Sequence, residues 1–252
     1  MYTCTQPSTI SFLSVFTAQT KHNEVMTTLL PVQDSADTNV RVAVRIRPLS
    51  NKEKSAGEES CFRVAKEDGS LVIIEPHTKE VNTFGFDLIF EENCEQGSLF
   101  DALGRPTLEK AFKGFNGTIF AYGQTGSGKT WSMQGSQTDA MEAGIIPRIN
   151  NSLFERIEEE KLTRPSLTFL VTVSYFEIYN EIIFDLLDGT DRKKRAKGGG
   201  LEIKEHPLLG VYVKDVKEIV VDTAPKLQQI IDQGMRNRTV ASTNMNADSS
   251  RR

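Results

Sequence analysis

Gly123-Gln124-Thr125-Gly126-Ser127-Gly128-Lys129-Thr130 sets a glycine, four residues, and then Gly-Lys-Thr within eight positions. That spacing suits the binding of a phosphate chain. Glycines let the backbone curl so that successive N–H groups converge on phosphate oxygens. Lys129 would neutralise the β- and γ-phosphates of a nucleoside triphosphate, and the Thr130 hydroxyl would hold Mg²⁺. The same residues could form a Gly-rich turn with a solvated lysine, but the flanks argue otherwise. Thr118-Ile119-Phe120-Ala121-Tyr122 is a short apolar run of the kind that makes a buried parallel strand. A helix can start at Gly128, so the loop falls between strand and helix.

The elements that must position this loop can be read outward from it. Gln134 to Gly144 is polar and contains glycine, the composition of a surface loop that interrupts the helix. Ile149, Leu153 and Ile157 recur at four-residue spacing and predict an amphipathic helix with Glu158-Glu159-Glu160 outward. Leu167, Phe169, Val171, Val173 and Tyr175 alternate as in a long strand, and Ile183 to Leu187 continue the apolar pattern. Leu201 to Glu205 and Val211 to Val221 read as strands. Leu227, Ile230, Ile231 and Met235 mark a helix capped by Thr223, with Pro225 in its first turn.

On the N-terminal side, Val40, Val42, Val44 and Ile46 alternate with Arg41, Ala43, Arg45 and Arg47, and Pro48 ends the strand. Arg45 and Arg47 then share a face at its C-terminal end, where open α/β sheets bind ligands. Spacing alone serves solvated arginines equally well. Leu71 to Glu75 and Phe84 to Phe90 read as further strands. Leu99 to Lys113 reads as a helix kinked at Gly104 and Pro106 and stopped by Gly114.

Composition narrows the classes. The chain has 252 residues, 38% apolar and 25% charged, which describes a soluble globular protein able to bury a large core. A net charge of −4 gives no overall drive toward nucleic acid or an anionic membrane. Cys4, Cys61 and Cys94 are odd in number and unpatterned, which suits reduced thiols in cytosol. No run approaches the length of a membrane span. Residues 1–38 are rich in Ser and Thr, lack arginine, and read as a disordered N-terminal extension. Arg192-Lys193-Lys194-Arg195-Ala196-Lys197, followed by three glycines, reads first as a solvated loop. A nuclear signal or contact with an acidic partner are its sharper readings.

Taken together, the motifs resemble a kinesin motor domain from roughly Asn39 onward. Phe120-Ala121-Tyr122 with the phosphate loop is similar to the kinesin signature, and Arg45-Ile46-Arg47-Pro48 matches the family's R-x-R-P element. Ser174-Tyr175-Phe176-Glu177-Ile178-Tyr179-Asn180-Glu181 with Asp185-Leu186-Leu187 is a further hallmark. Thr243-Asn244-Met245-Asn246 with Ser249-Ser250-Arg251 resembles the first switch. Glu205-His206-Pro207-Leu208-Leu209-Gly210 resembles the kinesin-3 group.

The resemblance implies a P-loop α/β fold: a mixed central sheet with helices on both faces. It implies an ATPase that uses Mg-ATP and moves along microtubules, with tubulin as partner and the cytoplasmic cytoskeleton as location. Arg45, Pro48 and Trp131 would contact the base, with a partly buried core aromatic as the alternative for Trp131. Asn246, Ser249 and Ser250 would sense the γ-phosphate, and Ser250 would join Thr130 at Mg²⁺. The family's second switch, Asp-x-x-Gly-x-Glu, does not occur in these 252 residues. Neither do the later strands, the main microtubule-binding helices or the regions that dimerise. The sequence therefore reads as part of the motor domain of a microtubule motor, inactive as the 252 residues stand, with a nucleotide- or tubulin-binding fragment without motor activity as the alternative.

Overall fold

A computed structural model describes residues 17–20, 40–65, 69–75, 78–189, 200–207 and 210–243, with backbone alone for 17–20 and 239–243. Asn246, Ser249 and Ser250, the basic cluster at 192–197, Leu208-Leu209 and most of the N-terminal extension lie outside the described residues. The chain divides into two compact units, Val25–Leu99 and residues 100–252 with 1–24.

In chain order the first elements are β1 (Thr17–Thr20), β2 (Ala43–Arg45), α1 (Asn51–Ser55), β3 (Phe62–Val64), β4 (Leu71–Ile74), β5 (Val81–Phe84), β6 (Leu88–Phe90) and α2 (Gln96–Leu99). A π-turn (Phe100–Gly104), α3 (Arg105–Phe112), α4 (Lys129–Met133) and α5 (Ile145–Thr163) come next. Then come β7 (Phe169–Val173), β8 (Phe176–Tyr179), β9 (Ile182–Asp185), β10 (Ile203–His206), β11 (Gly210–Val213), β12 (Ile219–Val221) and α6 (Ala224–Thr243). The α/β class is as the sequence implies. Its described strands fall into five small sheets, mostly antiparallel, with the parallel pair β2–β6 making the set mixed.

The core of the larger unit arises from two periodicities. Along β7, Val171 and Val173 turn inward while Leu170 is exposed, and in β12 Val221 is buried beside exposed Val220. Ile146, Leu153 and Ile157 of α5 and Leu227, Ile230 and Ile231 of α6 supply matching helical stripes. These residues meet in one cluster with Tyr175, Leu186 and Leu187. β7 is the central strand of its sheet, paired antiparallel to β12 on one edge and to β1 on the other. Four residues of the extension read as disordered are thus an edge strand. Among the described residues, no helix is long and apolar enough to cross a membrane.

Several sequence expectations change here. Residues 118–122 form no strand, and Phe120 and Tyr122 are 69% and 72% exposed. Both edges of β7 are already taken, so this apolar segment finds no ladder there, and a strand without partners cannot be buried. The long strand ending at Tyr175 breaks after Val173, because β8 leaves that sheet to pair with β9. Asn180 and Glu181, both at positive φ, form the two-residue turn of that hairpin. Phe84–Phe90 splits for a similar reason: β5 pairs antiparallel with β4, whereas β6 runs parallel to β2. Val211–Val221 is interrupted where Asp215 takes positive φ.

Glu160 is buried rather than outward. It lies three residues beyond Ile157 and so falls on the inner stripe, where Arg156 and Arg164 hold its carboxylate. The hydrogen bond from Arg164 is the main reason that carboxyl lies below the usual range. The expected kink near Gly104 takes the form of the π-turn, after which α3 resumes with Pro106 in its first turn.

Candidate nucleotide site

The phosphate loop enters α4 as its sequence dictates. Gly128 is the N-cap at φ 94°, a left-handed backbone that suits glycine. At Gly123, φ 152°, a side chain would be strained, and its Cβ would lie 2.5 Å from Ser127 Oγ and push that hydroxyl aside. The loop is closed by Ser127 N–H donating to Gln124 O at 3.2 Å. The Lys129 ammonium folds back over it, donating to Gly123 O at 2.6 Å and to Gln124 O at 2.7 Å. Burial lowers its pKa from the ordinary lysine value. A partly desolvated ammonium held by neutral carbonyls is electrostatically unfinished, and anionic oxygens would serve it better.

Thr130 lies in the first turn of α4, half-buried, and its side chain makes no hydrogen bond to the described residues. A free hydroxyl beside a phosphate-binding loop suits a hard cation held largely through substrate phosphates. Among the described residues no group of three or more His, Cys, Asp or Glu side chains could hold a metal ion. Trp131 stays 42% exposed, close enough in sequence to the loop to offer a flat surface to a ligand.

Beyond α4 the chain makes the surface loop expected for 134–144. It is pinned at its neck by Gly144 N–H donating to Gln134 O at 2.9 Å. Arg148 of α5 holds its far side through Ala143 O at 2.9 Å and Met141 O at 2.8 Å. Nothing in the local sequence pattern assigns a role to Arg148, one turn inside the helix after the loop.

Arg45 and Pro48 belong to the unit Val25–Leu99. β2 is shorter than the alternation suggests, but Arg45 still ends it, paired with Phe90. The Arg45 guanidinium donates to Gln96 Oε1 at 2.9 Å and to Cys94 O at 3.1 Å. Burial lowers its pKa from the ordinary arginine value. Arg47 instead forms a bidentate pair with Glu53 at 2.8 and 2.7 Å. The two arginines, left undivided by spacing, thus separate: Arg45 is half-buried and oriented, and Arg47 is exposed and serves α1. The sequence signal for this division is Ser50-x-x-Glu53, a capping box that starts α1 and carries the arginine's partner.

Gly123 through Trp131 thus run from the glycine turn directly into α4. Residues 45–252 match the kinesin motor domain family. The kinesin-like protein klp-20 of Caenorhabditis elegans is 41% identical over 213 residues, 84% of this chain and 32% of that protein. Kinesin-like protein KIF3C of Bos taurus is 36% identical over 219 residues, 86% of this chain and 26% of the relative. Kinesin-like protein KIF13A of Mus musculus is 39% identical over 232 residues, 86% of this chain and 12% of the relative. The chain spans about a third or less of the length of these relatives. The matched region covers Gly123–Thr130, Ser174–Leu187 and Thr243–Arg251, and on that match this chain belongs to the kinesin motor domain family, a family of microtubule motors.

Proposed function

We propose that this chain carries the Mg-ATP site of a microtubule motor, in which ATP hydrolysis drives movement along tubulin polymers in the cytoplasmic cytoskeleton. The observation that carries the reading is the ammonium of Lys129 seated on the carbonyls of its own loop. On phosphate binding it would exchange two neutral acceptors for the β- and γ-phosphate oxygens. Gly123 through Gly128 would supply the N–H cradle, and Trp131 a surface for the base. Arg45 and Pro48 are assigned to the base on family resemblance. Thr130 and Ser250 would hold Mg²⁺, which neutralises charge developing on the phosphates. Asn246 and Ser249 would orient the attacking water, since positioning carries most of phosphoryl transfer.

For residues 1–252 taken alone, the proposal is nucleotide binding without appreciable turnover, because this sequence contains no second-switch pattern. Titration with a fluorescent ATP analogue tests the site. Lys129→Ala removes charge-assisted bonds and should weaken binding by roughly a hundredfold. Unchanged affinity would mean that the phosphate site is misassigned.

A further inference from the structure

The two flanks of β7 are finished differently. On one flank it pairs with β12, a three-residue strand set between Lys217-Glu218 and Asp222. A short edge bracketed by charges offers little to another chain. On the other flank β7 itself would end the sheet but for β1. The five residues Phe169-Leu170-Val171-Thr172-Val173 lie in a run from Ser166 to Phe176 that holds no charged side chain and no proline. β-Branched and aromatic residues dominate it, a composition that pairs readily with a copy of itself.

β1 closes that flank. Thr17 stands opposite Thr172 and Thr20 opposite Phe169, so four of the five positions of β7 are covered. The strand comes from the chain's own N-terminal segment, within the same compact unit. Lys21 and His22 follow it directly in the sequence. An uncharged edge is thus replaced by a four-residue one that runs into a lysine, a form in which sheet edges are blunted.

Left bare, the edge of β7 fits a second copy. Antiparallel pairing with Val171 opposite its own counterpart sets Phe169 against Val173 and Leu170 against Thr172. That register keeps like faces together, buried Val171 and Val173 on one side and exposed Leu170 on the other. Each copy offers the same patch, so the pairing is isologous and closes as a dimer. We propose that residues 17–20 are an edge guard, holding in cis the flank of β7 that otherwise pairs with β7 of a second copy. The docking surface is the β7 backbone from Phe169 to Thr172, and its cis occupant is seated on it.

The test compares the 252-residue chain with its Ala18→Pro/Gln19→Pro variant. Successive residues of an antiparallel strand turn their backbone groups to opposite flanks, so one of the two prolines removes a donor to β7 whatever the phase. Sedimentation at rising concentration should show wild type as a monomer and the variant as a monomer–dimer mixture. In the dilute variant, β7 amides should exchange with deuterium about tenfold faster than in wild type, roughly the value of one neutral hydrogen bond. They should regain protection as the dimer fills, while amides of α5 and α6 keep theirs throughout. An added peptide copying residues 14–23 should return the variant to monomer. A variant that stays monomeric at every concentration, or β7 amides unmoved by the prolines, would overturn the proposal. Association that the peptide leaves intact would do the same, as would a wild type that dimerises equally well. Loss of protection in α5 and α6 would also overturn it, by making β1 part of what holds the fold.

Discussion

Residues 100–252 and residues 40–99 are held in order by different means. In the first set, twelve buried side chains from two helices and the strands beside them meet in a single cluster. In the second, the buried apolar residues among those described are Ile46, Leu71 and Leu99, and every residue of β5 is exposed. Order there comes from short ladders, the capping box of α1 and the ties of Arg45 and Arg47. Apolar burial scales with area and resists salt, whereas exposed polar ties gain little over their bonds to water. The same kind of substitution should therefore act very differently in the two regions. The largest effect is expected at Leu227, whose side chain is fully buried. Leu227→Ala should cost about 3 kcal/mol in urea unfolding, from lost transfer energy and the cavity left behind. A loss below about 1 kcal/mol would mean that the cluster is not what holds this region.

What can be read in the sequence divides along similar lines. The glycine turn at Gly123–Gly128 and the helix start after it are legible because their requirements are local: glycines at fixed offsets and a helix start. The helices are legible from stripes such as Leu227, Ile230 and Ile231. Residues 118–122 mislead because strand formation depends on a neighbour that sequence spacing does not reveal. Phe84–Phe90 and Leu167–Tyr175 each read as one strand because continuous apolar alternation hides a change of pairing partner. Glu160 reads as outward on the general rule that charge faces water, although its spacing from Ile157 points inward. The tie from Asn237 to Leu186 spans 51 residues in sequence, and no local pattern announces it.

Asp185 tests whether the contrast is one of polarity or of burial. It is as polar as any tie in residues 40–99, yet it lies inside the apolar cluster's border and serves two backbone N–H groups. Asp185→Ala leaves both donors without their acceptor in a place with little water, and should cost about 2 kcal/mol. Asp185→Asn keeps one carbonyl oxygen and should cost less. Equal losses for the two variants, each no larger than a surface change, would show that burial is not what gives this carboxylate its weight.

The smallest effect is expected at Glu53, the exposed counterpart. The Arg47 guanidinium first, and then the backbone and hydroxyl of Ser50, hold its carboxyl well below the usual carboxylate range. A carboxylate depressed in the folded chain contributes stability that is fully present above its unfolded value and is lost as pH falls through the folded one. Wild type and Glu53→Gln should therefore differ only slightly at neutral pH and converge in strong acid. Because the pair faces solvent, added salt should shrink the difference further. Carboxyl-carbon NMR should show Glu53 titrating below the other glutamates, while urea unfolding of Glu53→Gln at neutral pH stays close to wild type. An unfolding shift rivalling that of Leu227→Ala would break the comparison, for it would mean that residues 40–99 owe their order to one surface ion pair. A normal titration would break it from the other side, by removing the tie that starts α1. Between these lies a strongly depressed carboxyl with little global consequence, the behaviour of a five-residue helix set by its cap and not by a core.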